Sequence, residues 1–308
     1  MVDLSTTVCG VVFRNPVIMA SGTFGFGMEY ARLYPLSCIG GIATKALTVE
    51  PRSGNAGVRS CETPSGMLNA VGLQNPGMHV FAEEYLPWLR KQNTVIIANF
   101  AGNTLESYAE AAAFLDKTDV DMLELNISCP NVKEGGAAFG VYPDGITAAV
   151  TAVRKVVKHK PLVVKLSPNC ADIAVNALAA QKAGADAVSL INTLTGMAVD
   201  WRRRRPVIAN VTGGLSGEAI RPVALRMVYQ AAKALKIPVI GMGGIASADD
   251  VLSFICVGAS AVMVGAHNFT APLFGKVVAE ELTNRLEQCK IEKLSDLKGT
   301  LQTDGANQ

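Results

Sequence analysis

The sequence predicts an α/β protein in which eight parallel strands alternate with helices and close into a (β/α)8 TIM barrel. The first observation is a series of eight short, nearly continuous apolar runs, which are typical of parallel strands covered on both faces. The second is that stretches with helical spacing separate these runs. The third is that no G-x-G-x-x-G follows the first run, which disfavours the alternative, a doubly wound open sheet. The runs cover residues 17–21, 41–45, 95–99, 122–128, 162–166, 187–192, 238–243 and 261–265.

The other elements are justified by local patterns. Residues 4–13 predict an N-terminal hairpin. A capping box is expected where Ser247 is followed three residues later by Asp250, at the start of the seventh helix. Helical periodicity predicts further helices over residues 104–117, 144–158, 171–183 and 218–235. A four-residue spacing of apolar side chains indicates the last helix, with Phe274, Val278, Leu282 and Leu286 on one face.

Three connections are too long to be plain loops, and each follows a predicted strand. They cover residues 47–80, 130–142 and 193–217. In a barrel such connections lie on the C-terminal face, where barrel enzymes hold their active sites. We therefore expect long βα-loop insertions around a site on that face, within a single domain over residues 1–308.

The composition excludes several function classes. The formal net charge of the 308 residues is +2, which does not favour nucleic acid or an anionic membrane surface as a partner. The sequence contains no signal-peptide pattern and no apolar run long enough to span a bilayer. The seven cysteines are odd in number and form no C-x-x-C pair, which indicates reduced thiols, a cytoplasmic location and no metal site.

The stretch 123–136 predicts the reacting part of the site. Its apolar strand ends at Pro130 and opens into a glycine-rich loop. A lone cysteine is more often a small core residue than a functional one. Here Cys129 lies between Asn126 and Asn131, and a thiol beside two amides suits a site that binds a polar, amide-like ring and removes a proton from it.

Polar residues and glycines recur at the C-terminal ends of the predicted strands. Two lysines there imply an anionic ligand or a developing negative charge. Several asparagines imply a ligand with both hydrogen-bond donors and acceptors. Glycines after the last two strands fit the phosphate site of many barrels, in which backbone N–H groups bind the anion. These residues are Ser21, Lys45, Asn99, Asn126, Lys165, Asn192, Gly243, Gly244, Gly265 and Ala266.

Together these motifs resemble the class 1 dihydroorotate dehydrogenases, which are FMN-dependent (β/α)8 enzymes of pyrimidine synthesis. The resemblance extends from residue 15 to about residue 274. Residues 131–140 and 211–217 are more similar to the NAD-dependent class 1B catalytic subunit than to the homodimeric, fumarate-reducing class 1A. The other motifs are Ala20-Ser21-Gly22, Thr44-Lys45-Ala46, residues 68–77, Asn126 to Asn131, Lys165 to Asn169, Asn192-Thr193 and residues 241–245.

The resemblance implies a reaction and its residues. Dihydroorotate would be oxidised to orotate, with Cys129 taking the proton from C5 as general base while C6 delivers a hydride to FMN. Lys45 would lie near both substrate and flavin, and Lys165 would stabilise the reduced ring, so both count as catalytic. The implied FMN contacts are Ser21, Lys45, Ala46, Asn99, Asn126, Lys165, Ile191, Gly217, Gly243, Gly244, Gly265 and Ala266. The implied substrate contacts are Lys45, Asn69, Ala70, Val71, Gly72, Leu73, Asn126, Asn131, Asn192 and Thr193, and residues 134–140 would form a lid.

The resemblance also implies partners. A class 1B catalytic chain forms a homodimer within a heterotetramer, whose other subunit holds FAD and a 2Fe-2S cluster and passes electrons to NAD+. The lack of a cysteine cluster is consistent with an iron–sulfur centre on another chain. Three alternatives remain: a class 1A-type homodimer that uses fumarate, a flavin-free barrel enzyme on a phosphorylated substrate with Cys129 as nucleophile, and a non-catalytic electron-transfer or scaffold subunit.

Overall fold

The computed structural model describes residues 2–127 and 139–303, and in these ranges eight parallel strands close into a barrel. Each predicted apolar run coincides with one barrel strand to within a few residues, and helices lie between the strands, so the predicted (β/α)8 fold is confirmed. The apolar runs identify the strands because barrel strands are covered inside and outside, which removes the polar alternation of a half-exposed strand.

The strands are numbered in chain order. They are β1 (Thr6–Val8), β2 (Val11–Phe13), β3 (Val17–Met19), β4 (Gly41–Ala43), β5 (Ser60–Thr63), β6 (Gly66–Asn69), β7 (Val95–Phe100), β8 (Met122–Asn126), β9 (Leu162–Lys165), β10 (Ala187–Leu190), β11 (Leu194–Met197), β12 (Val199–Asp200), β13 (Arg205–Pro206), β14 (Thr212–Ser216), β15 (Val239–Met242) and β16 (Ala261–Val264). Around the barrel the order is β3, β4, β7, β8, β9, β10, β15, β16 and back to β3. Neighbouring barrel strands are therefore consecutive βα units of the chain.

The predicted helices are all present, with small shifts at their ends, and the described ranges contain three further short helices. They are α1 (Met78–Val80), α2 (Leu86–Arg90), α3 (Leu105–Leu115), α4 (Pro143–Val156), α5 (Ile173–Lys182), α6 (Arg221–Ala234), α7 (Ala248–Cys256), α8 (His267–Thr270) and α9 (Phe274–Gln288), with a π-helical turn at Phe81–Tyr85 between α1 and α2. Among the helices in the described ranges, none combines the length and apolar character that crossing a bilayer requires.

The predicted capping box at α7 is only half formed. The Ser247 hydroxyl accepts a hydrogen bond from the Asp250 N–H, as expected for an N-cap. The Asp250 carboxylate does not complete the reciprocal bond, because it accepts from the Ala246 N–H and forms an ion pair with Arg221 at 2.9 Å. The acid in this motif therefore links α7 to α6.

The N-terminal hairpin closes one end of the barrel. Strands β1 and β2 pair antiparallel, as predicted. Val8 and Phe13 are fully buried and join the apolar cluster formed by inward-facing barrel residues such as Ile97. The Cys9 thiol donates to the Asp186 carbonyl at 3.2 Å, and burial raises the pKa of this thiol to about 11. The hairpin thus fills the N-terminal end, which leaves the C-terminal end for a site.

The two long connections that lie wholly within the described residues contain strands of their own. Strands β5 and β6 come from residues 47–80, and β11 to β14 come from residues 193–217. They form a four-stranded antiparallel sheet in the order β11–β14–β6–β5 and a separate β12–β13 pair. The sequence predicted long functional insertions here, but it did not predict that the two segments pair with each other.

Candidate active site

Inside the barrel, the side chains change from apolar to polar toward the C-terminal ends of the strands. Ile97, Met122 and Val163 belong to the apolar cluster that the hairpin covers. Residues two positions further along a strand face the same side of the sheet. This alternation places a buried polar layer above the apolar one, made of Asn99, Glu124, Lys165 and Ser189. The barrel interior therefore offers charges and amides at its C-terminal end.

Two lysines lie at this end of the barrel. Lys165 is 5% exposed, and its register partners are Asn126 on β8 and Ser189 on β10. Lys45 follows β4, and its Nζ lies 4.0 Å from the point that a Cβ on Gly22 would occupy. The two amines thus come from β9 and from the connection after β4, and positive charge away from bulk water favours an anionic ligand or transition state.

Asn126, Asn192 and Thr193 come together at the ends of β8 and β10. The Asn192 Nδ2 lies 3.5 Å from the Asn126 Oδ1, which is a long hydrogen bond. The Asn192 Oδ1 accepts from the Thr193 N–H at 3.0 Å, and the Tyr108 hydroxyl donates to the Asn126 carbonyl at 3.3 Å. The structure therefore brings the amides of Asn126 and Asn192 together at this end of the barrel.

Asn69 reaches the same region through the four-stranded sheet. It ends β6, and its Nδ2 donates to the Gly214 carbonyl on β14 at 3.4 Å. Gly214 packs directly against Thr193, because an added Cβ would lie 2.1 Å from the Thr193 Oγ1. Pairing of the two insertions thus links Asn69 to the Asn192–Thr193 segment, although the residues are far apart in sequence.

The loop that contains Ala70, Val71, Gly72 and Leu73 is held by two asparagines that the sequence analysis did not single out. Asn55 donates from its Nδ2 to the Ala70 carbonyl at 2.8 Å and from its backbone to the Val71 carbonyl at 2.9 Å. Asn75 is buried and donates to the Leu73 carbonyl at 2.7 Å. Such bonds fix the backbone of a loop that has no regular structure.

A cradle of backbone N–H groups follows β15 and β16. Within the described ranges, the N–H groups of Gly243, Gly244, Gly265 and Ala266 donate to no acceptor. A Cβ on Gly265 would meet nothing closer than 3.8 Å, so this side of the cradle is open. By contrast, a Cβ on Gly244 would lie 2.8 Å from the Gly217 carbonyl oxygen, which brings Gly217 against the same loop. Unsatisfied N–H groups beside open space suit an anion.

Arg221, at the start of α6, holds this cradle in place. Its guanidinium donates to the Gly244 carbonyl at 3.2 Å and to the Asp250 carboxylate at 2.9 Å. Nearby, burial lowers the pKa of His267, although Glu218 and Asp250 act to raise it. The imidazole therefore stays neutral to a lower pH than usual.

The remaining predicted residues lie at strand ends around the same region. Ser21 is half-buried after β3, Ala46 is buried after β4 and Ile191 is buried after β10. The Ile191 N–H donates to the Met242 carbonyl at 3.0 Å, which ties the ends of β10 and β15 together.

Cys129 and Asn131 lie outside the described residues, as do residues 134–138 of the predicted lid. The described chain stops at Ile127, one residue after Asn126, and resumes at Phe139. The general base and the lid stay predictions from the sequence.

Glu124 is the main site residue that sequence reasoning missed. It is fully buried inside the barrel, and its carboxylate accepts hydrogen bonds from Asn99 and from Ser189. The signal was a single acid between Leu123 and Leu125, in a run that otherwise predicts a buried strand. A charge at such a position requires hydrogen-bond partners, and the inward-facing positions of the neighbouring strands supply them.

The fold and the site together define a (β/α)8 barrel whose C-terminal end carries two lysines, a cluster of amides and an anion cradle. A family model described as dihydroorotate dehydrogenase matches residues 3–286. The chain belongs to this family.

Individual relatives match the chain along nearly its whole length. The chain is 53% identical to the dihydroorotate dehydrogenase B (NAD(+)), catalytic subunit, of Citrifermentans bemidjiense, over 97% of this chain and 98% of that protein. It is 54% identical to the protein of the same name from Geotalea uraniireducens, over 98% and 99% of the two chains. It is 52% identical to the one from Halalkalibacterium halodurans, over 97% and 98%.

Proposed function

We propose that this chain is the catalytic subunit of a class 1B dihydroorotate dehydrogenase, an oxidoreductase that converts dihydroorotate to orotate in pyrimidine synthesis. The observation that carries the proposal is identity of more than half, over nearly the full length, to relatives named for this reaction. The polar layer inside the barrel supports it, because dihydroorotate is a cyclic ureide with a carboxylate and needs both cations and amides.

Three observations on this chain fit FMN as its cofactor. Backbone N–H groups of Gly243, Gly244, Gly265 and Ala266 form an open cradle suited to a phosphate. The Asn99 Oδ1 is buried and, in the described residues, has no hydrogen-bond partner. The buried side chain of Lys165 places a positive charge inside the barrel. By resemblance, Ser21, Ala46, Asn126, Ile191 and Gly217 join these groups in binding FMN. FMN, when bound, supplies the ring that accepts the hydride.

We propose that dihydroorotate binds to the asparagine side-chain amides and to Lys45. The contacts between Asn126, Asn192 and Thr193 support a site for the two ring amides and the carboxylate. By resemblance, Asn69, Asn131 and residues 70–73 join them. Cys129 takes the proton from C5 of the substrate as the hydride leaves C6. A thiol serves as base when its pKa lies near the working pH.

Lys165 and Lys45 stabilise negative charge during the reaction. Lys165 is buried in the polar layer, where an electrostatic interaction is stronger than at the surface. Lys45 lies beside Gly22, next to the strand end that carries Ser21. A preorganised cation of this kind stabilises charge without a large rearrangement of solvent.

We infer that the chain works in the cytoplasm as a homodimer within a heterotetramer. The relatives are named catalytic subunits, which supports a second subunit, and we propose that it carries FAD and a 2Fe-2S cluster and reduces NAD+. Six cysteines in the described ranges, Cys9, Cys38, Cys61, Cys170, Cys256 and Cys289, are free thiols, as in a reducing compartment.

The electron acceptor that the enzyme uses distinguishes class 1B from class 1A. The purified chain is mixed with dihydroorotate and one acceptor at a time, and orotate formation is followed by absorbance. We expect turnover with an artificial dye, and turnover with NAD+ only after the electron-transfer subunit is added. Efficient turnover with fumarate by the chain alone would instead support the class 1A alternative, and no orotate with any acceptor would reject dihydroorotate as the substrate.

A further inference from the structure

Glu124 is a buried acid to which neither the family relationship nor the proposed reaction assigns a role. It faces the barrel interior on β8, two residues before Asn126, and is 0% exposed. Burying a carboxylate has a large free-energy cost unless hydrogen bonds or opposite charges compensate it. In the described residues, no ion pair includes Glu124. The hydrogen bonds of its carboxylate therefore compensate at least part of this cost.

Each oxygen of this carboxylate accepts one hydrogen bond from a different strand. The Oε2 accepts from the Nδ2 of Asn99, which is the register partner of Glu124 on β7. The Oε1 accepts from the Ser189 hydroxyl on β10 at 2.6 Å. The carboxylate thus connects β7, β8 and β10 inside the barrel, at the level where the interior becomes polar.

The bond to Glu124 decides which way the Asn99 amide faces. An asparagine side chain has a donating NH2 group and an accepting oxygen, whereas a carboxylate only accepts. Asn99 must therefore turn its Nδ2 toward Glu124, and its Oδ1 faces the opposite side. That oxygen is buried and has no hydrogen-bond partner in the described chain. An unsatisfied buried acceptor is unfavourable, so this position favours a bound group that donates a hydrogen bond.

We propose that Glu124 is a positioning residue that fixes Asn99 as a hydrogen-bond acceptor for a donor group of the bound flavin, an N–H of the ring or a hydroxyl of the side chain. This inference rests on the proposed function, because it takes FMN as the ligand of the polar layer. Glu124 itself touches Asn99 and Ser189 and acts on the flavin only through them. Without the carboxylate, the Asn99 amide is free to turn and to present its donor, which a flavin donor cannot use.

The test measures FMN binding to the apoprotein by quenching of flavin fluorescence. Three variants are compared with wild type: Glu124→Gln, Asn99→Leu and the double variant. The Gln side chain has nearly the shape of Glu but can donate or accept, so it no longer forces one orientation of Asn99. We expect each single variant to weaken FMN binding about 5- to 10-fold, the loss of one hydrogen bond. We expect the double variant to bind FMN as Asn99→Leu does, because Glu124 acts through Asn99.

Two further readouts separate positioning from general stability. Hydrogen bonding changes the flavin absorption bands, so Glu124→Gln and Asn99→Leu should shift them in the same direction. Glu287→Gln, an exposed acid on α9, is the matched control and should change neither the dissociation constant nor the bands. If Glu124→Gln does not fold, Glu124→Asp replaces it in the comparison with Asn99→Leu. The Asp side chain keeps the negative charge but is shorter by one methylene group, so its carboxylate lies farther from Asn99.

The outcomes distinguish this proposal from the proposed function. Wild-type apoprotein that does not bind FMN rejects the cofactor, whatever the variants do. Wild type that binds FMN, with unchanged binding in Glu124→Gln, rejects the positioning role alone. The positioning role is also rejected if Glu124→Gln weakens FMN binding as much in the Asn99→Leu protein as in wild type, because Glu124 then acts independently of Asn99.

Discussion

One thiol, Cys129, carries the proposed proton transfer. A hydroxyl in its place has a much higher pKa, so it stays protonated at the working pH and is less available as a base. Cys129→Ser should therefore lower the rate of flavin reduction by dihydroorotate by about 10²- to 10⁴-fold. The FMN content should stay unchanged, because the proposed FMN contacts lie elsewhere. Stopped-flow absorbance of the loaded protein measures the rate. Cys289→Ser, which changes an exposed thiol, is the control and should reduce its flavin at the wild-type rate.

A wild-type rate in Cys129→Ser would remove the base assignment. It would leave the polar layer as a candidate binding site, because the hydrogen bonds of Glu124 to Asn99 and Ser189 do not include the thiol. The proton transfer and the binding site can therefore be tested separately.

At the level of elements, the hairpin makes a prediction about stability. Phe13 is fully buried in the cluster that fills the N-terminal end of the barrel, whereas its neighbour Val12 is 64% exposed. Phe13→Ala should lower the free energy of unfolding by about 3–5 kcal/mol, from lost burial and the cavity left behind. Val12→Ala should change it by less than about 0.5 kcal/mol. Urea denaturation of both variants measures the difference. Equal losses in the free energy of unfolding would mean that the hairpin does not stabilise the N-terminal end of the barrel through Phe13.

Asp116 links the end of α3 to the turn before β9. It is 3% exposed, and its carboxylate accepts from the N–H groups of Lys158, His159 and Lys160 at 2.8 to 3.2 Å. Burial acts to raise the pKa of this carboxyl, but the three backbone donors outweigh it and hold the pKa below its ordinary value of 3.8. The ionised form is therefore favoured by folding.

This shift has a defined pH dependence. The folded-state pKa is lower than the unfolded one, so the stabilisation is fully present above the unfolded value and is lost as pH falls through the folded value. Asp116→Asn should lower the free energy of unfolding by about 1.5–3 kcal/mol at pH 7, the usual size for hydrogen bonds to a charged group. Urea denaturation from pH 7 to pH 3 should show the difference from wild type shrinking below about pH 4. Two results would contradict this role of the Asp116 carboxylate. One is a difference in the free energy of unfolding between wild type and Asp116→Asn that is as large at pH 3 as at pH 7. The other is an equal loss of stability in the exposed control Asp296→Asn.

At the level of the whole molecule, the sequence predicted the barrel well because its signal is local. Each barrel strand is a short apolar run such as residues 162–166, and each end carries a polar residue such as Lys165 or a glycine such as Gly243. The amide cluster also followed from position alone, since Asn126 and Asn192 end strands whose C-terminal ends meet in any parallel barrel. These inferences need topology but no knowledge of side-chain contacts.

Features that depend on contacts between distant segments were not predicted. The sheet that joins Asn69 to Gly214 pairs two insertions, and strands as short as β5 and β6 have little periodicity of their own. The role of Glu124 depends on Asn99 and Ser189, which come from two other strands. The orientation of an amide follows from its partners, so no pattern within β7 could have indicated that Asn99 presents its oxygen.

The most direct test is the visible spectrum of the purified protein before and after anaerobic addition of dihydroorotate. Our account predicts flavin bands that bleach when the substrate is added, since the barrel would then hold both FMN and dihydroorotate in reacting positions. Bands that persist would leave the flavin barrel but contradict the substrate. A protein that is colourless and remains so after FMN is added and excess is removed would contradict the cofactor, and with it the proposed reaction.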